Sequence, residues 1–492
     1  MSRSKEVTGD FTSEEADGIV RPARPVPLII AVLLFADIVS SLESTMLVTA
    51  LPRIITTFHT TPADASWVLT AFALVAAASA AVCGRLGDIY GRRNLIITLL
   101  LISAVGSIVS ISTGTLTGVI IGRAIQGVSG GILPLCFGLA RESLPKKQVP
   151  VAIAWIAGAA LLGGASGALV SGALIDTLGW RYIFITTVVV AVLSAAACPL
   201  LPRSTVLAKV ERIDWLGGVL FAPAIALVLF GITKSGTWTW QDGRTIGTIL
   251  AGVLLLAVWA WWELRVDSPM INIRLFANRK LALTTIATMA IAIGPLGITG
   301  FLLHIIKQSP TSAPVGLGLS ASVSGALAFG TAIIGFLLAP VSGRISARTG
   351  SRRALMIGSV LGVINALALV LLHNSLVGVI ISSVFLTMAT SFMLSSTPNL
   401  VVECVPAENT SEATGVNTVA RTAFAGVGTS VGTLVLSTSL VPGTQFSTES
   451  AFLQVFAIMG GCCVVALIAA LLIRPAPRTT TDTSPALEPQ AV

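Results

Sequence analysis

Ionisable side chains lie inside long apolar stretches of this sequence, where a charge is costly unless it has a role. Asp37 and Glu43 occupy one stretch, and Arg123 occupies another. An ionisable residue within a membrane span usually marks a functional site. Burial favours the neutral form of a carboxyl group, whereas a nearby guanidinium favours its charged form. A carboxylate under both influences can load and release a proton when its distance from the guanidinium changes.

Glu43 and Arg123 are predicted to lie at a similar depth. Glu43 is about eight residues from the outer end of the first span, and Arg123 is about eight residues from the outer start of the fourth. We expect Glu43 to bind the proton and Arg123 to adjust its affinity; the alternative is a static ion pair that only fixes packing. Asp37 is about 9 Å along the helix axis and about 120° around it from Glu43, so the two cannot face one groove. Asp37 stays a second proton-coupling candidate, with lining of water as its alternative role.

Three further polar side chains within spans are candidates for lining a substrate cavity. Gln126 lies one helical turn from Arg123, so it can hydrogen-bond that guanidinium or a substrate. Arg421 can pair with a carboxylate or bind an anion, unless it extends toward the cytosol along its aliphatic stem. Asn365 is a candidate polar contact in a later span.

The composition indicates the elements that must position these residues. The chain has 492 residues, of which 54% are hydrophobic and 11% charged, and its mean hydropathy is +0.91. So few charges cannot cover a water-facing surface, which excludes a soluble enzyme, a nucleic-acid reader and a disordered scaffold. Because about 20 apolar residues cross a bilayer as a helix, the sequence predicts an all-α membrane protein. The predicted spans are 27–50, 64–83, 94–113, 115–138, 150–175, 180–201, 213–232, 244–263, 280–307, 316–342, 352–372, 375–400, 411–438 and 450–474.

Lysine and arginine counts predict the orientation in the membrane. With the N-terminus inside, cytosolic segments hold 23 of the 30 basic residues and outer segments hold five, the other two being Arg123 and Arg421. An excess of basic residues marks the cytosolic side. We therefore expect a multi-pass protein of the cell inner (plasma) membrane. Its tails, 1–26 and 475–492, are predicted to be cytosolic.

An internal repeat indicates how the spans are grouped. Residues 84–93 read GRLGDIYGRR and residues 343–352 read GRISARTGSR, so four glycine and arginine positions coincide at an offset of 259. Both segments are predicted to be cytosolic loops, after the second and the tenth span. Transporters are often built from such repeats. This predicts six-helix bundles at 27–201 and 280–474, with two inserted helices in the linker 202–279.

Four motifs together resemble the major facilitator superfamily, in its fourteen-span drug:proton antiporter branch. The 84–93 segment is similar to the hallmark loop of the superfamily, and IIGRAIQGVSGG at 120–131 resembles its fourth-span motif. LESTMLVTALPRI at 42–54 resembles a first-span motif, with Glu43 in place of Asp. GGASGALVSGALI at 163–175 resembles the antiporter motif of the fifth span. The resemblance implies two six-helix bundles with two inserted helices, and a substrate cavity between the bundles.

The resemblance also implies roles for the two glycine-containing motifs. In the first, Gly84, Asp88, Gly91, Arg92 and Arg93 would form a latch that closes the two bundles on the cytosolic side and gates alternating access; the alternative is a plain basic loop. In the second, small residues would form a hinge that enforces exchange, or merely a packing face. That face comprises Gly163, Gly167, Ser171 and Gly172. Ala168 replaces the proline of the family there.

The resemblance implies proton-coupled efflux of amphipathic organic compounds, such as drugs or an antibiotic that the producing cell must export. Uptake, or translocation of a lipid-like molecule, is the alternative within the same fold. A membrane-embedded enzyme or sensor is less favoured, because the sequence has no nucleotide-binding loop, no hydrolase motif and only three histidines. No metal and no cofactor is expected, the proton gradient being the energy source. The expected partners are a small-molecule substrate and the lipid bilayer, without nucleic acid, for a protein that functions as a monomer.

Overall fold

A computed structural model of the chain describes residues 24–208, 213–444 and 446–474. The described residues form fourteen helices that are long and apolar enough to cross a membrane, as predicted. Their bounds are Val26–Phe58, Trp67–Tyr90, Arg92–Ser112, Leu116–Ser143, Val149–Thr177, Arg181–Leu200, Trp215–Ser235, Gly243–Glu263, Arg279–Gln308, Val323–Thr349, Ser351–Leu372, Leu376–Cys404, Ala407–Thr438 and Glu449–Leu472, and we number them spans 1 to 14. Of the two predicted tails, residues 1–23 and 475–492 lie outside the described residues.

Two pairs of spans are joined by very short turns. Span 3 ends at Ser112 and span 4 begins at Leu116, where the Thr115 hydroxyl accepts a hydrogen bond from the amide of Gly118. Spans 11 and 12 meet in the same way, with Ser375 as the capping residue. A hydroxyl cap satisfies a helix amide that would otherwise lack a partner, so a helix can restart within three residues.

The predicted loops at 84–93 and 343–352 are wrong. Span 2 continues as a helix to Tyr90, and only Gly91, with φ of 100°, separates it from span 3. Gly350, with φ of 88°, likewise separates spans 10 and 11. Glycine adopts positive φ without a steric penalty, so one residue reverses the chain where a loop was expected.

Two spans are interrupted within the membrane. Span 4 changes from α-helix to a 3₁₀ segment at Gly127–Gly131 and then returns to α-helix. The glycines there let it approach span 2, since a Cβ on Gly127 would lie 2.7 Å from the Phe72 carbonyl oxygen. Span 9 contains a π-helical segment, Ala292–Ile298, around Pro295, where the sequence predicts a kink.

The helices pack as two groups joined by two seams. Spans 1, 3, 4, 5 and 6 share one apolar core, and spans 9, 11, 12 and 14 share others. Span 2 packs along span 13, and span 5 packs along span 10. The inserted pair, spans 7 and 8, packs against spans 2 and 13 through the cluster that contains Phe221, Trp259 and Val419. We call the end of the molecule with the Gly91 and Gly350 turns the basic end.

Candidate functional site

Glu43 lies where three spans of the first bundle meet. Its side chain is fully buried. One carboxylate oxygen accepts a hydrogen bond from Ser103 of span 3, and the other accepts one of 2.7 Å from Ser129 of span 4. Ser129 belongs to the 3₁₀ segment, whose glycines bring span 4 close to its neighbours. The carboxylate is therefore held by two neutral donors.

Arg123 is also fully buried, and its donors are directed to neutral groups. Nε donates to the Val68 carbonyl oxygen at 3.1 Å, and Nη1 donates to Gln126 Oε1 at 3.0 Å. The guanidinium carbon lies 4.1 Å from the centre of the Phe72 ring, a distance typical of a cation–π contact. Nη2 has no hydrogen-bond partner among the residues that the structure describes.

The charges of Glu43 and Arg123 interact through space. No contact ion pair joins these two described side chains, since every ion pair within 4.0 Å involves other residues. Neutral groups hold both side chains, so the positive charge of Arg123 lies near the Glu43 carboxylate without a direct contact that would neutralise it. Gln126 extends the network, because its amide nitrogen donates to Ser107 Oγ at 2.5 Å.

Asp37 occupies a different environment from Glu43. It is buried, and its Oδ2 has no hydrogen-bond partner within the described part of the chain. Its charge interacts with that of Arg421 on span 13. The interacting charges of Asp37 and Arg421 therefore belong to different bundles, while Glu43 and Arg123 both lie inside the first bundle.

Two of the predicted cavity residues lie inside single bundles. Gln126 bonds to groups of spans 3 and 4, as described above. Asn365 is buried, and its amide nitrogen is 3.8 Å from the sulfur of Met459 on span 14. Neither position is between the bundles, because the polar side chain of each is directed toward its own helical neighbours.

A buried charged cluster connects the two bundles at the basic end. Asp88 accepts hydrogen bonds from the backbone amides of Ser411 at 3.3 Å and Glu412 at 2.9 Å. It also pairs with Arg92 at 2.8 Å, and Arg85 pairs with Glu412 at 3.0 Å. Of the predicted latch residues, Asp88 and Arg92 belong to this cluster, and from here on the name latch means Arg85, Asp88, Arg92, Ser411 and Glu412. A carboxylate at the first turn of span 13 satisfies amides that lack helical partners.

Further contacts support the latch from both sides. Arg92 donates to Glu142 at 2.5 Å and to the Ala407 carbonyl oxygen at 2.8 Å. Arg141 donates to the Val405 carbonyl oxygen at 2.9 Å. The backbone amide of Asn272, in the linker after the inserted pair, donates to Glu412 at 2.6 Å. The linker of the inserted helices is thus bonded to the junction between the bundles.

Arg93, in contrast, stays within the first bundle. Its Nη1 donates to the Leu201 carbonyl oxygen at 3.1 Å. The structure therefore joins Asp88 and Arg92 to the second bundle but not Arg93. The sequence reasoning missed Glu412 and Arg85, although an acid in the first turn of span 13 was a usable signal.

Equivalent glycines of the repeat stand at the two seams. A Cβ on Gly84 would lie 2.9 Å from the Ser411 carbonyl carbon of span 13. A Cβ on Gly343 would lie 2.7 Å from the Val151 Cα of span 5. The repeat therefore places one glycine of each bundle against the backbone of the other, but Ala347 stands where the first copy has Asp88.

The small residues of span 5 pack on span 1 beside Glu43. A Cβ on Gly163 would lie 2.8 Å from the Ser41 Cβ, and one on Gly167 would lie 3.3 Å from the Leu42 carbonyl oxygen. Ser171 hydrogen-bonds Thr49. Gly172 does not share this face, since no described atom lies within 4 Å of its added Cβ.

A metal centre is not indicated by the geometry. Within residues 24–208, 213–444 and 446–474, no three His, Cys, Asp or Glu side chains are grouped closely enough to hold an ion.

The sequence model of the family named Major Facilitator Superfamily matches this chain twice, over residues 33–422 and over residues 281–491. The chain belongs to the major facilitator superfamily. Its fourteen spans are accordingly two six-helix bundles with two inserted helices. Members of this family are transporters, so the chain is a membrane transporter and the interpretation as an enzyme is excluded.

Two curated relatives of this superfamily member are named for export or resistance. The tetracenomycin C resistance and export protein of Streptomyces glaucescens is 28% identical over 443 residues, which cover 86% of this chain and 79% of the relative. The multidrug resistance protein B homolog of Mycobacterium tuberculosis is 28% identical over 346 residues, covering 67% of this chain and 60% of the relative.

Solved structures share the fold at low identity. The human organic anion transporter MFSD10 (TETRAN) matches with a TM-score of 0.62 and 14% identity, over 92% of this chain and all of that one. The proton:xylose symporter XylE also gives a TM-score of 0.62 at 14% identity, over 91% of this chain and 96% of its own. At this identity the likeness shows the fold alone.

Proposed function

We propose that this transporter exports amphipathic organic compounds, such as drugs or an antibiotic, in exchange for protons. Two of its curated relatives are named for resistance or export, which supports the direction and the substrate class. The observation that carries the proton coupling is the pair of fully buried side chains, Glu43 and Arg123, held near each other by neutral partners. A carboxylate in that setting changes protonation when the guanidinium moves.

Alternating access follows from the latch in this proposal. The excess of basic residues supports an orientation in which the basic end, and both termini with it, lie on the cytosolic side. The latch then closes the cytosolic end, and its breaking opens the cavity to the cell interior. Protonation of Glu43 from the outside and its deprotonation inside would drive the cycle. The protein needs no cofactor for this, and one chain is sufficient.

Uptake of a nutrient or translocation of a lipid-like molecule would use the same fold. Direction of transport separates these alternatives from export. In everted membrane vesicles, which present the cytosolic face outward and acidify inside on respiration, an exporter accumulates its substrate. An importer does not accumulate the compound in the same vesicles.

The test uses everted vesicles from a bacterial strain that lacks its own efflux pumps. The panel contains two acids, fusidate and novobiocin, the neutral compound chloramphenicol, and two cations, ethidium and tetraphenylphosphonium. We expect the native transporter to accumulate at least one compound, and an uncoupler to abolish that accumulation. Glu43→Gln should abolish gradient-driven accumulation, because the amide binds no proton, while exchange of substrate without a gradient continues.

Asp176→Asn is the matched control, since Asp176 is an exposed acid on span 5. It should transport like the native protein. Full-rate export by Glu43→Gln under a pH gradient would show that another group couples the proton. The absence of transport of every panel compound by the native protein would overturn drug export itself.

A further inference from the structure

Arg421 is a membrane-buried cation whose donors are unused. It lies in span 13, well inside both ends of the helix, and is only half-buried. Its side chain makes no hydrogen bond and no contact ion pair with any residue of 24–208, 213–444 or 446–474. A guanidinium carries five donors in a planar fork, and in a membrane these donors need partners.

Asp37 is the acidic group that faces Arg421. It is 1% exposed, and its Oδ2 has no partner in the described part of the chain. The charged and titratable groups that act on it are Arg421 from span 13 and the Cys136 thiol from span 4. Cys136 itself donates to the Leu33 carbonyl oxygen, one turn before Asp37. The two unpartnered groups thus belong to different bundles, Asp37 to span 1 and Arg421 to span 13, and their charges interact.

The latch contains an ion pair with complete contacts, with which the Asp37–Arg421 pair can be compared. Arg92 and Asp88 meet at 2.8 Å, and both side chains have further hydrogen bonds. Asp37 and Arg421 have neither the contact distance nor additional partners. The Asp37–Arg421 pair is therefore unlike a packing device, because a buried pair stabilises a fold only when its geometry and hydrogen bonding are complete.

We propose that Arg421 binds the ionised acidic group of the transported molecule, and that Asp37 is the counter-charge which this group replaces. The inference rests on the proposed export function and names its substrate class: amphipathic molecules with one carboxylate or phenolate. A guanidinium matches such a group with two parallel hydrogen bonds. A cationic substrate would be repelled by the same residue.

This arrangement links the substrate to a second proton. When the substrate anion occupies Arg421, Asp37 loses its compensating charge and takes up one proton from water in the cavity. When the anion leaves, Asp37 returns this proton to water and its carboxylate regains Arg421 as counter-charge, while the inward proton that drives export is the one on Glu43. Ionised Asp37 competes with the substrate for Arg421, so the affinity for an acid falls as the pH rises.

The first experiment repeats the vesicle assay with substitutions at Arg421. For the native protein we expect accumulation of fusidate or novobiocin in preference to the two cations. Arg421→Gln should lower acid accumulation at least tenfold, and Arg421→Lys should keep part of it, because the charge remains and the paired donors are lost. Arg353→Gln, which removes an exposed charge from span 11, is the matched control and should be without effect.

The outcomes separate this inference from the proposed function. Accumulation of chloramphenicol or the cations without the acids would leave export standing and overturn the acid-binding role of Arg421. Accumulation of fusidate and novobiocin by Arg421→Gln at the native rate would also contradict the acid-binding role of Arg421. Failure of all five compounds with the native protein would remove the proposed function and this inference with it.

A second experiment measures binding and does not depend on transport. Fusidate or novobiocin, whichever is accumulated, is titrated into purified protein between pH 6 and pH 8, and the rise in melting temperature reports its affinity. Native protein should bind the acid more weakly as the pH rises. Asp37→Asn should bind it more tightly and without this pH dependence. Asp37→Asn binding with the native pH profile would overturn the counter-charge role.

Discussion

At the scale of residues, the two main functional candidates of this transporter, Glu43 and Arg123, are both held by uncharged groups. Glu43 is held by two serine hydroxyls, and Arg123 by a carbonyl, an amide and an aromatic ring. Neutral partners stabilise each charge without fixing it, whereas a contact ion pair would lock the carboxylate in its ionised form. The environment therefore leaves the protonation of Glu43 responsive to small movements of span 4.

Ser129→Ala tests this role of the neutral donors. Loss of one hydroxyl removes a hydrogen bond that favours the ionised carboxylate, so the protonated form of Glu43 persists to higher pH. We expect the pH of half-maximal export to rise by about one unit, since a hydrogen bond to a charged group contributes about 1.5–3 kcal/mol. Export rates in vesicles at stepped internal pH measure the shift. Ser112→Ala, at the exposed end of span 3, is the control and should leave the pH dependence of export unchanged. An unchanged or lowered pH of half-maximal export for Ser129→Ala would contradict this role of the Ser129 hydroxyl.

At the scale of elements, close helix contacts surround the acidic site. Gly163 and Gly167 let span 5 touch the part of span 1 that carries Glu43. Small residues at such contacts let helix backbones approach closely in a membrane. A change in the distance between spans 1 and 5 would therefore move Glu43 relative to Ser129 and Arg123, which lie on span 4.

Gly163→Ala and Gly172→Ala form a matched pair on this helix. The added methyl group at position 163 would meet the Ser41 Cβ at 2.8 Å, so the helices must separate, whereas position 172 is open. We expect Gly163→Ala to lower the melting temperature and to reduce export roughly tenfold, because overpacking costs about 1–3 kcal/mol. Gly172→Ala should resemble the native protein in both measurements. Equal effects of the two substitutions would show that the face on span 1 is unimportant.

The sequence predicted the helices better than the turns and side-chain contacts between them. The lengths of the apolar stretches predicted all fourteen spans, and the resemblance of the 84–93 segment to the family loop implied a contact of Asp88 and Arg92 at the basic end. Single-glycine turns were not predicted, because the sequence cannot show that Gly91 and Gly350 alone reverse the chain. Ser103 and Ser129 were missed for a related reason. They become ligands of Glu43 only through the way in which three helices pack, and serine in an apolar span is common.

At the scale of the whole molecule, the inserted helices are part of the junction between the bundles. The linker that follows them donates the Asn272 amide to Glu412, and Glu412 also holds Arg85 of the first bundle. Three segments distant in sequence thus share one carboxylate. A movement of the inserted pair should change how firmly the basic end is closed.

Asn272→Pro removes this amide without changing any charge. The φ of Asn272 is −75°, which a proline ring accepts. We expect the substitution to weaken closure of the basic end by about 1.5–3 kcal/mol, the contribution of a hydrogen bond to a charged group. Spin labels at Lys146→Cys and Arg353→Cys, one on each bundle, should show a larger population of long distances.

Asn272→Ala is the control for Asn272→Pro, since it keeps the amide and loses only the side-chain cap. Its distance distribution should match that of the protein with native Asn272. Identical distributions for Asn272→Pro and Asn272→Ala would show that the linker does not stabilise the closed state.

The burial of the charged latch residues links hydration to the separation of the two bundles. Asp88, Arg92 and Glu412 are each at most 1% exposed while the basic end is closed. In the proposed alternating-access cycle, separation of the bundles would expose these ions, and each of them would then have to be hydrated. The proposed equilibrium would therefore depend on water activity, and osmolytes that are excluded from the protein surface should favour the closed state.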